Sequence, residues 1–362
     1  MAKDITKLFF GLIQVSIGTK NCLDEVPDGE DWVHLFDLAN KQSLTSVLIE
    51  GINRDSTIAQ SIDKALLLEW IGLNQLTVSQ NQLQNRRAGE LCKLFKDGGF
   101  RSAILKGQGT ALYYEHPEYR QCGDIDIWVE GNRNRVLNFI KERGVLTDGI
   151  DVQHTNAKFF HDVEVEVHFL PSFMYSPGNN RNLQSFFSAK ADSQFSNNNI
   201  EAGFAHTTME FDLVFSLVHI YRHLFSEGIG MRQLMDYYHI LLHSDANQRK
   251  EAFAMLRRLG LKSFTGGIMW ILLRSFGMKE EYLLCPVNSR HGEFVLSEMM
   301  IAGNFGHYDT RSVKIDPHDR LKRGLVLLKK NMRFLSYYPS EVLWSPFWKL
   351  WHWTWRKCNG YL

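Results

Sequence analysis

Two aspartates, Asp124 and Asp126, have the types and spacing most suggestive of chemistry in this sequence. They lie in residues 124–129, where polar and apolar residues alternate with the two-residue period of a β-strand. Both carboxylates should therefore point to one face, while Ile125 and Ile127 point to a core. Adjacent carboxylates repel each other unless a cation neutralises them, and Mg²⁺ favours carboxylates together with substrate phosphates. The alternative is a solvated edge strand, although Asp is uncommon inside strands.

A third acid, Glu166, lies in the apolar run 163–169. In a strand, Glu164, Glu166 and His168 would share one face. If this strand neighbours the first, three carboxylates would surround one or two ions, an arrangement suited to in-line phosphoryl transfer. The exposed face of an edge hairpin would have the same pattern, so both interpretations stay open.

Basic residues and a glycine accompany the acids. Lys106 and Gly107 directly follow the short apolar run 102–105, and a glycine after a strand lets backbone N–H groups approach a phosphate. Lys106 is expected to pair with phosphate or with the aspartates. Arg120 has the side chain to clamp a triphosphate through two N–H groups. An ordinary surface charge is the alternative for each.

The elements that must position these residues fall into three parts. Residues 1–100 read as helical, with one helix capped by Asp31 and a long helix over 63–97 that ends at Gly98. Residues 101–205 form the predicted catalytic core, and residues 206–362 form a helical domain with a Trp-rich tail. We expect an α+β fold, with a small β-sheet flanked by N-terminal and C-terminal helical regions.

Within these parts the pattern predicts individual elements. In the core we expect a helix over 132–143, a hairpin that pairs Phe159 and Phe160 with 163–169, and an irregular connection over 171–205. The helices predicted after residue 206 cover 211–225, 231–243, 248–259, 264–276, 290–302 and 317–335.

Two pairs with helical spacing also invite a functional interpretation. His219 and His223 are four apart, which suits a metal, but without further ligands nearby packing is the favoured interpretation. Arg232 and Asp236 have the same spacing, which predicts an ion pair on a helix face.

The tail contains four tryptophans at helical spacing. Trp344, Trp348, Trp351 and Trp355 would form one stripe of a helix that starts at Ser345-Pro346. The favoured interpretation packs this stripe on the body of the protein. Peripheral membrane contact through the stripe is the alternative.

Composition limits the possible partners and compartments. The 362 residues carry a formal net charge of +1, which gives no global sign of nucleic-acid binding. The five cysteines form no close metal-binding pattern, so we expect reduced thiols in the cytoplasm. No cleavage site follows the first apolar run, and no apolar stretch has the length of a membrane span, so neither a signal peptide nor a membrane-spanning segment is expected.

Taken in order, these motifs resemble a known enzyme superfamily. Leu105-Lys106-Gly107, Arg120, residues 124–126 and Glu166-Val167-His168 resemble the nucleotidyltransferases typified by DNA polymerase β. More closely, they are similar to a bacterial branch of uncharacterised nucleotidyltransferases. Residues 219–223 and 230–236 are similar to the later part of that branch.

The resemblance implies a site and a reaction. It implies a mixed sheet, Mg²⁺ or Mn²⁺ held by Asp124 and Asp126, and Glu166 as the third acid. It also implies a nucleoside triphosphate (NTP) bound near Gly107. The expected reaction moves a nucleoside monophosphate to an acceptor and releases pyrophosphate.

The same resemblance places Arg222, His223 and Arg232 along the cleft, where they would hold the nucleotide or the acceptor. The acceptor is a small molecule, a sugar, a protein side chain or an RNA end, with long nucleic acid the least expected because the net charge is near zero.

Two other functions stay open. The superfamily usually has Gly-Gly or Gly-Ser where this sequence has Gly107-Gln108, which is compatible with a catalytically inactive interaction protein of the same fold. A glycosyltransferase that binds a nucleotide sugar through its DxD motif is the third possibility, but the sequence offers too few βα units for its doubly wound sheet.

Overall fold

The computed structural model describes residues 3–147, 149–199, 201–311, 329 and 331–361. Five helices precede the first strand: α1 Ile5–Ser16, α2 Gly29–Gln42, α3 Thr45–Arg54, α4 Ser56–Ser61 and α5 Lys64–Asp97. The sheet region contains α6 Gln108–Ala111, α7 Arg133–Glu142 and α8 Pro177–Ser196. The later helices are α9 Met209–Phe225, α10 Met231–His243, α11 Ala246–Arg258, α12 Lys262–Phe276, α13 Ser289–Ala302 and α14 Pro339–Cys358.

A small mixed sheet lies between these two helical regions. Its strands are β1 Ser102–Leu105, β2 Ile125–Val129, β3 His154–Asn156 and β4 Val165–His168, in the order β1-β2-β4-β3. The central pair, β2 and β4, is parallel, and the two outer pairs are antiparallel. A separate two-stranded sheet joins β5 Asn198–Asn199 to β6 Phe204–Ala205. The predicted α+β fold with a small mixed sheet is confirmed.

Helix boundaries follow from side-chain caps. The cap of α2 is Asp28 and not Asp31 as predicted, because the Asp28 carboxylate accepts from the N–H groups of Glu30 and Asp31. Asp31 instead accepts from the Asp28 N–H, which completes a capping box. The long helix α5 begins after its cap Asp63 and ends at Asp97, within a residue of the prediction.

Two predictions in the sheet region were wrong. The antiparallel partner of β4 is β3 and not the segment at Phe159 and Phe160, and this pairing places His154 opposite His168 in the register. Phe159 lies in the connection instead, where its ring packs against Phe95 in the core. The predicted irregular connection over 171–205 contains the 20-residue helix α8, which has Pro177 in its first turn.

The later helices agree better with the sequence. The bounds of α9 to α13 lie within about two residues of those predicted, which is the usual uncertainty of a helix end. Most of the predicted helix 317–335 lies outside the described residues.

The Trp-rich helix differs from its prediction in two ways. It starts at Pro339, so Pro346 lies inside α14 and not at its start. The tryptophan stripe is also divided. Trp348 stacks on Phe173, whereas Trp344 and Trp351 are exposed.

Two hydrophobic clusters hold the described residues together. The larger one joins side chains of the first three helices to those of α9 to α13. The smaller one covers the sheet and includes Ile125 and Ile127, which face this core as predicted. The three-part division at residues 100 and 205 stays a prediction. Within the described part of the chain, no helix is both long and apolar enough to cross a bilayer.

Candidate active site

Three carboxylates lie together near the N-terminal ends of β2 and β4, the two central strands of the mixed sheet. Asp124 is the residue just before β2, Asp126 lies within β2, and Glu166 pairs with Asp126 in the parallel register of β4. One carboxylate oxygen from each lies within 4.8 Å of the others, which is close enough for a shared metal ion. The predicted convergence of the three acids is confirmed, and their metal ligation stays a prediction.

Asp126 is buried between two cationic side chains. Lys106 Nζ lies 3.0 Å from its Oδ2, and His168 Nε2 lies 2.8 Å from its Oδ1. Burial works against a charged His168, but hydrogen bonds to Asp126 and Glu166 outweigh it and raise the pKa of His168 to about 9. His168 is therefore an imidazolium at neutral pH. The chain's own cations therefore neutralise Asp126 when no metal is bound.

Glu166 lies beside two histidines. Its Oε2 is 3.4 Å from His168 Nε2 and 3.7 Å from His154 Nδ1. Burial raises the pKa of Glu166, but the hydrogen bond with His168 and the charges of both histidines together bring it below its usual value. These three residues form a second group whose ligand atoms lie within 4.8 Å of one another. Glu166 is thus shared between an all-carboxylate group and a mixed imidazole–carboxylate group.

The turn after β1 aims Lys106 at the acids. Lys106 and Gly107 both have positive φ, at +42° and +51°. A left-handed conformation costs a residue with a Cβ about 1–2 kcal/mol, so the turn stores strain at Lys106. A Cβ on Gly107 would meet nothing closer than 3.9 Å, so the glycine is needed for its backbone conformation and not for space.

Lys106 keeps its charge in this position. Burial lowers the pKa of Lys106, but Asp126, Asp124 and Glu166 together raise it above the ordinary value. Its Nζ also lies 3.4 Å from Nε2 of His219. Burial and the Lys106 charge hold the pKa of His219 well below its usual range, so this imidazole is neutral.

A cavity of about 40 Å³ lies between this end of the sheet and helices α9 and α10. The sheet side and its loops contribute Lys106, Gly107, Thr110, Arg120, Gly123, Asp124 and Asp126. The helical side contributes Phe215, Ser216, His219, Ile220, Arg232, Gln233, Asp236 and, from a following loop, Phe305. The cavity has room for a hydrated ion, whereas pockets for small organic ligands are typically about 300–1,000 Å³.

Arg120 reaches the cavity but already has a carboxylate partner. Its Nε and Nη2 donate to the two oxygens of Asp236 at 2.7 and 2.8 Å. Tyr114 Oη donates to the same carboxylate at 2.6 Å. The ion pair predicted between Arg232 and Asp236 was therefore wrong, because Asp236 turns towards Arg120. The predicted phosphate contact of Arg120 stays a prediction, but these two N–H groups are engaged by Asp236.

The positive charge of Arg232 is less fully neutralised than that of Arg120. It is buried, its Nη1 donates to the Gln121 carbonyl at 2.8 Å, and its Nε has no hydrogen-bond partner among the described residues. Burial and the neighbouring Arg120 lower its pKa. The Phe305 ring lies 5.3 Å from the guanidinium. Arg232 thus brings a positive charge and a free donor to the wall of the cavity.

Two other basic residues expected at the cleft lie elsewhere. The Arg222 guanidinium is 4.0 Å from the rings of Phe173 and Tyr175. Its Nη1 lies 3.8 Å from Glu341 Oε1, so it faces α14 instead. His223 Nδ1 is 3.1 Å from Glu227, and its ring packs 4.2 Å from that of His219. The pair His219 and His223 therefore has separate polar partners, and among the described residues it belongs to no group of three or more potential metal ligands.

Side chains of α5 hold the loop that leads into Asp124, and the sequence analysis missed them. Asn81 Nδ2 donates to the carbonyls of Glu118 and Arg120, at 2.9 and 2.7 Å. Gln84 Nε2 donates to the Gly123 carbonyl. Asn81 and Gln84 are three apart on the buried face of α5, in line with Ala88, Leu91 and Phe95, a spacing that could have identified them. His154 and Phe305 were also missed, and neither carries a sequence signal.

The sequence comparison agrees with this geometry. A family model described as "Uncharacterised nucleotidyltransferase" matches residues 28–277. The chain belongs to this nucleotidyltransferase family. The match contains the three acids, Lys106, Gly107, Arg120 and Arg232, whereas Phe305 and the Trp-rich helix α14 lie beyond it. No curated protein matches the chain.

The chain is also similar to a solved structure, that of an antigenic nucleotidyltransferase-like protein from Paracoccidioides brasiliensis. The two are 14% identical, with 56% of this chain and 93% of that chain covered and a TM-score of 0.36. A likeness that weak carries no conclusion about the site.

Proposed function

We propose that this nucleotidyltransferase family member is an active, metal-dependent enzyme. It would transfer a nucleoside monophosphate from an NTP to an acceptor and release pyrophosphate. The observation that carries the proposal is the convergence of Asp124, Asp126 and Glu166 within 4.8 Å. Family membership supports the reaction class.

The donor set fits Mg²⁺ or Mn²⁺. Three carboxylates are hard oxygen ligands, which these ions favour. A divalent ion held there would neutralise the triphosphate and promote attack by the acceptor hydroxyl. Lys106 and His168 hold Asp126 in place from either side until such a cation takes over part of the neutralisation.

The chain's own residues would divide the remaining work. Arg232 would contact the triphosphate, because it combines positive charge with a free donor. The exposed backbone at Gly107 would approach a phosphate oxygen, with Lys106 adding charge. Arg120 would stabilise the cavity wall through Asp236 and add long-range positive charge. Glu166, which is partly exposed beside the two aspartates, would orient the acceptor hydroxyl or accept its proton.

The cavity must enlarge to bind a whole nucleotide. Its volume of about 40 Å³ is well below that of ordinary nucleotide sites. Phe305 is the candidate moving wall, because it has a left-handed φ of +53° and its ring packs on Arg232. A loop residue in strained backbone is a common place for such a movement.

The test is a screen of the four NTPs for pyrophosphate release, with cell extract as the source of acceptor. The wild-type chain should release pyrophosphate from at least one NTP in Mg²⁺ or Mn²⁺, and EDTA should stop it. Glu166→Gln should reduce the rate by about a hundredfold or more, as expected for a group that orients or deprotonates the nucleophile. Glu164→Gln is the matched control, since Glu164 is exposed two residues earlier and belongs to neither group of converging ligand atoms.

Other outcomes would identify the alternatives. Absence of NTP binding would favour an interaction protein that keeps the fold. The glycosyltransferase alternative needs a doubly wound parallel sheet, but here only β2 and β4 are parallel within the main sheet.

We propose the cytoplasm as the compartment. All five cysteines are free thiols, as expected in a reducing environment.

A further inference from the structure

Helix α14 is fixed to the body of the protein by one face. The Trp348 ring stacks on Phe173, with ring centres 4.3 Å apart and planes 8° apart. Trp355 lies under the Arg133 guanidinium at 4.7 Å. The buried Glu341 carboxylate accepts from the Tyr175 N–H at 2.5 Å. These contacts fix one face of α14 to the body of the protein, and Val342 and Ser345 are buried in the same helix.

The opposite face of α14 is apolar and exposed. Leu343, Phe347, Leu350 and Trp351 follow helical spacing, and their exposed fractions are 60, 66, 65 and 50%. Trp344 and Trp353 extend this stripe on either side and are also exposed. We call these six side chains the outer face of α14. Monomeric proteins seldom expose so many large apolar side chains together unless the surface binds something.

The charges around the outer face indicate what it binds. Between Val342 and the last residue given, the sequence contains Lys349, Arg356 and Lys357 but no Asp or Glu. Lys357 Nζ lies 5.4 Å from the Trp353 ring, beside the outer face. Exposed Trp, Leu and Phe that are flanked along the helix by cations and by no acid are typical of a helix that lies in the interface of an anionic bilayer. Trp is also the residue that favours the headgroup level.

We propose that the outer face of α14 docks this protein onto the surface of bilayers that contain anionic lipids. The helix lies parallel to the membrane plane with its inner face still packed on the protein. Apolar side chains enter the boundary between headgroups and acyl chains, while Lys349 and Lys357, each four residues from Trp353, meet lipid phosphates and carboxylates. The Arg356 guanidinium is bonded to the Tyr361 carbonyl instead. The Trp-rich segment is therefore both a structural element and a membrane contact, two roles that the sequence presented as alternatives.

The experiment is co-sedimentation of the full chain with vesicles of phosphatidylcholine, with and without phosphatidylserine as about a third of the lipid. The wild type should bind the anionic vesicles, and binding should weaken as NaCl is raised. With about 1 kcal/mol from each of the two lysines, the preference for anionic over neutral vesicles should be about thirtyfold.

Two variants distinguish vesicle binding through the outer face from nonspecific adsorption through any exposed apolar side chain. Leu350→Glu places a carboxylate in the centre of the outer face and should weaken vesicle binding at least tenfold. Leu68→Glu is the matched control, because Leu68 is 69% exposed on α5, and its binding should equal that of the wild type. Both side chains are exposed, so both variants should unfold at the wild-type temperature.

Three results would overturn the proposal. The first is a wild-type chain that stays in the supernatant with anionic vesicles. The second is binding that is equally affected, or equally unaffected, by the two variants. The third is a dimer in sedimentation equilibrium that Leu350→Glu dissociates while no vesicle binding is seen, which would make the outer face an interface between two copies. None of these readouts depends on enzymatic activity.

Discussion

Replacing His168 with Gln should remove a pH-dependent contribution to the stability of the metal-free protein. The His168 pKa is about 9 in the folded chain because the imidazolium is hydrogen-bonded to Asp126 and Glu166. The unfolded value is about 6.5. Since the folded pKa is the higher one, this stabilisation is complete below pH 6.5 and is lost as the pH rises through 9.

The size of the effect follows from this pKa difference. Each unit of pKa difference is worth about 1.4 kcal/mol of unfolding free energy. Because the His168 side chain is almost fully buried, solvent screens its interactions little. Between pH 7 and pH 9 the wild type should lose about 2 kcal/mol of unfolding free energy from this group alone. The difference between wild type and His168→Gln should shrink by the same amount over that interval.

Urea unfolding in EDTA, followed by circular dichroism from pH 7 to pH 9, measures this difference. Other shifted groups act in both proteins and cancel in the comparison. His239, whose pKa burial lowers to about 4, has nearly finished titrating at the start of the interval. Asp212, whose pKa burial raises to about 7, is half protonated there and titrates over the lower part of the interval in both proteins. If wild type and His168→Gln lost the same unfolding free energy between pH 7 and pH 9, the assignment of His168 as an imidazolium would be refuted.

Three further variants test the cavity wall. Asp236→Asn should lower the unfolding free energy by about 3 kcal/mol, because it leaves the buried Arg120 without its carboxylate; an unchanged urea midpoint would count against that ion pair. Arg232→Met should weaken NTP binding about tenfold in calorimetry without lowering stability, since it removes a buried charge that has a free donor. Wild-type NTP affinity in that variant would exclude Arg232 from the nucleotide site. Phe305→Ala should strengthen NTP binding severalfold by widening the cavity, whereas weaker binding would mean that the ring contacts the nucleotide and does not obstruct it.

The sequence predicted those parts of the fold that depend on local pattern. Alternation over residues 124–129 and 163–169 identified β2 and β4 and the faces of their acids. Helix α8 was missed because its many Asn and Ser residues mask a sparse apolar pattern, in which Leu183, Phe187 and Phe195 are buried. Composition indicated a loop, but tertiary packing of those three side chains favours a helix.

The partners of the site's charges were beyond local reasoning. Arg120 and Asp236 are 116 residues apart, so only the folded chain reveals that they pair. The helical spacing of Arg232 and Asp236 suggested a local partner instead. The neutralisation of Asp126 by Lys106 and His168 likewise depends on β1, β2 and β4 being neighbours in the sheet. Sequence spacing identified the acids, and the fold determines which cations they meet.

Electron paramagnetic resonance of Mn²⁺ would decide whether the three acids bind a cation that holds a triphosphate. In the wild type, the signal of free Mn²⁺ should fall on addition of protein, and with an NTP present it should fall below the level that the same NTP gives without protein. Asp126→Asn should abolish both changes, and Glu164→Gln should retain them. If NTP binds the wild type equally well in EDTA, or if Asp126→Asn takes up Mn²⁺ like the wild type, the metal-dependent mechanism is wrong.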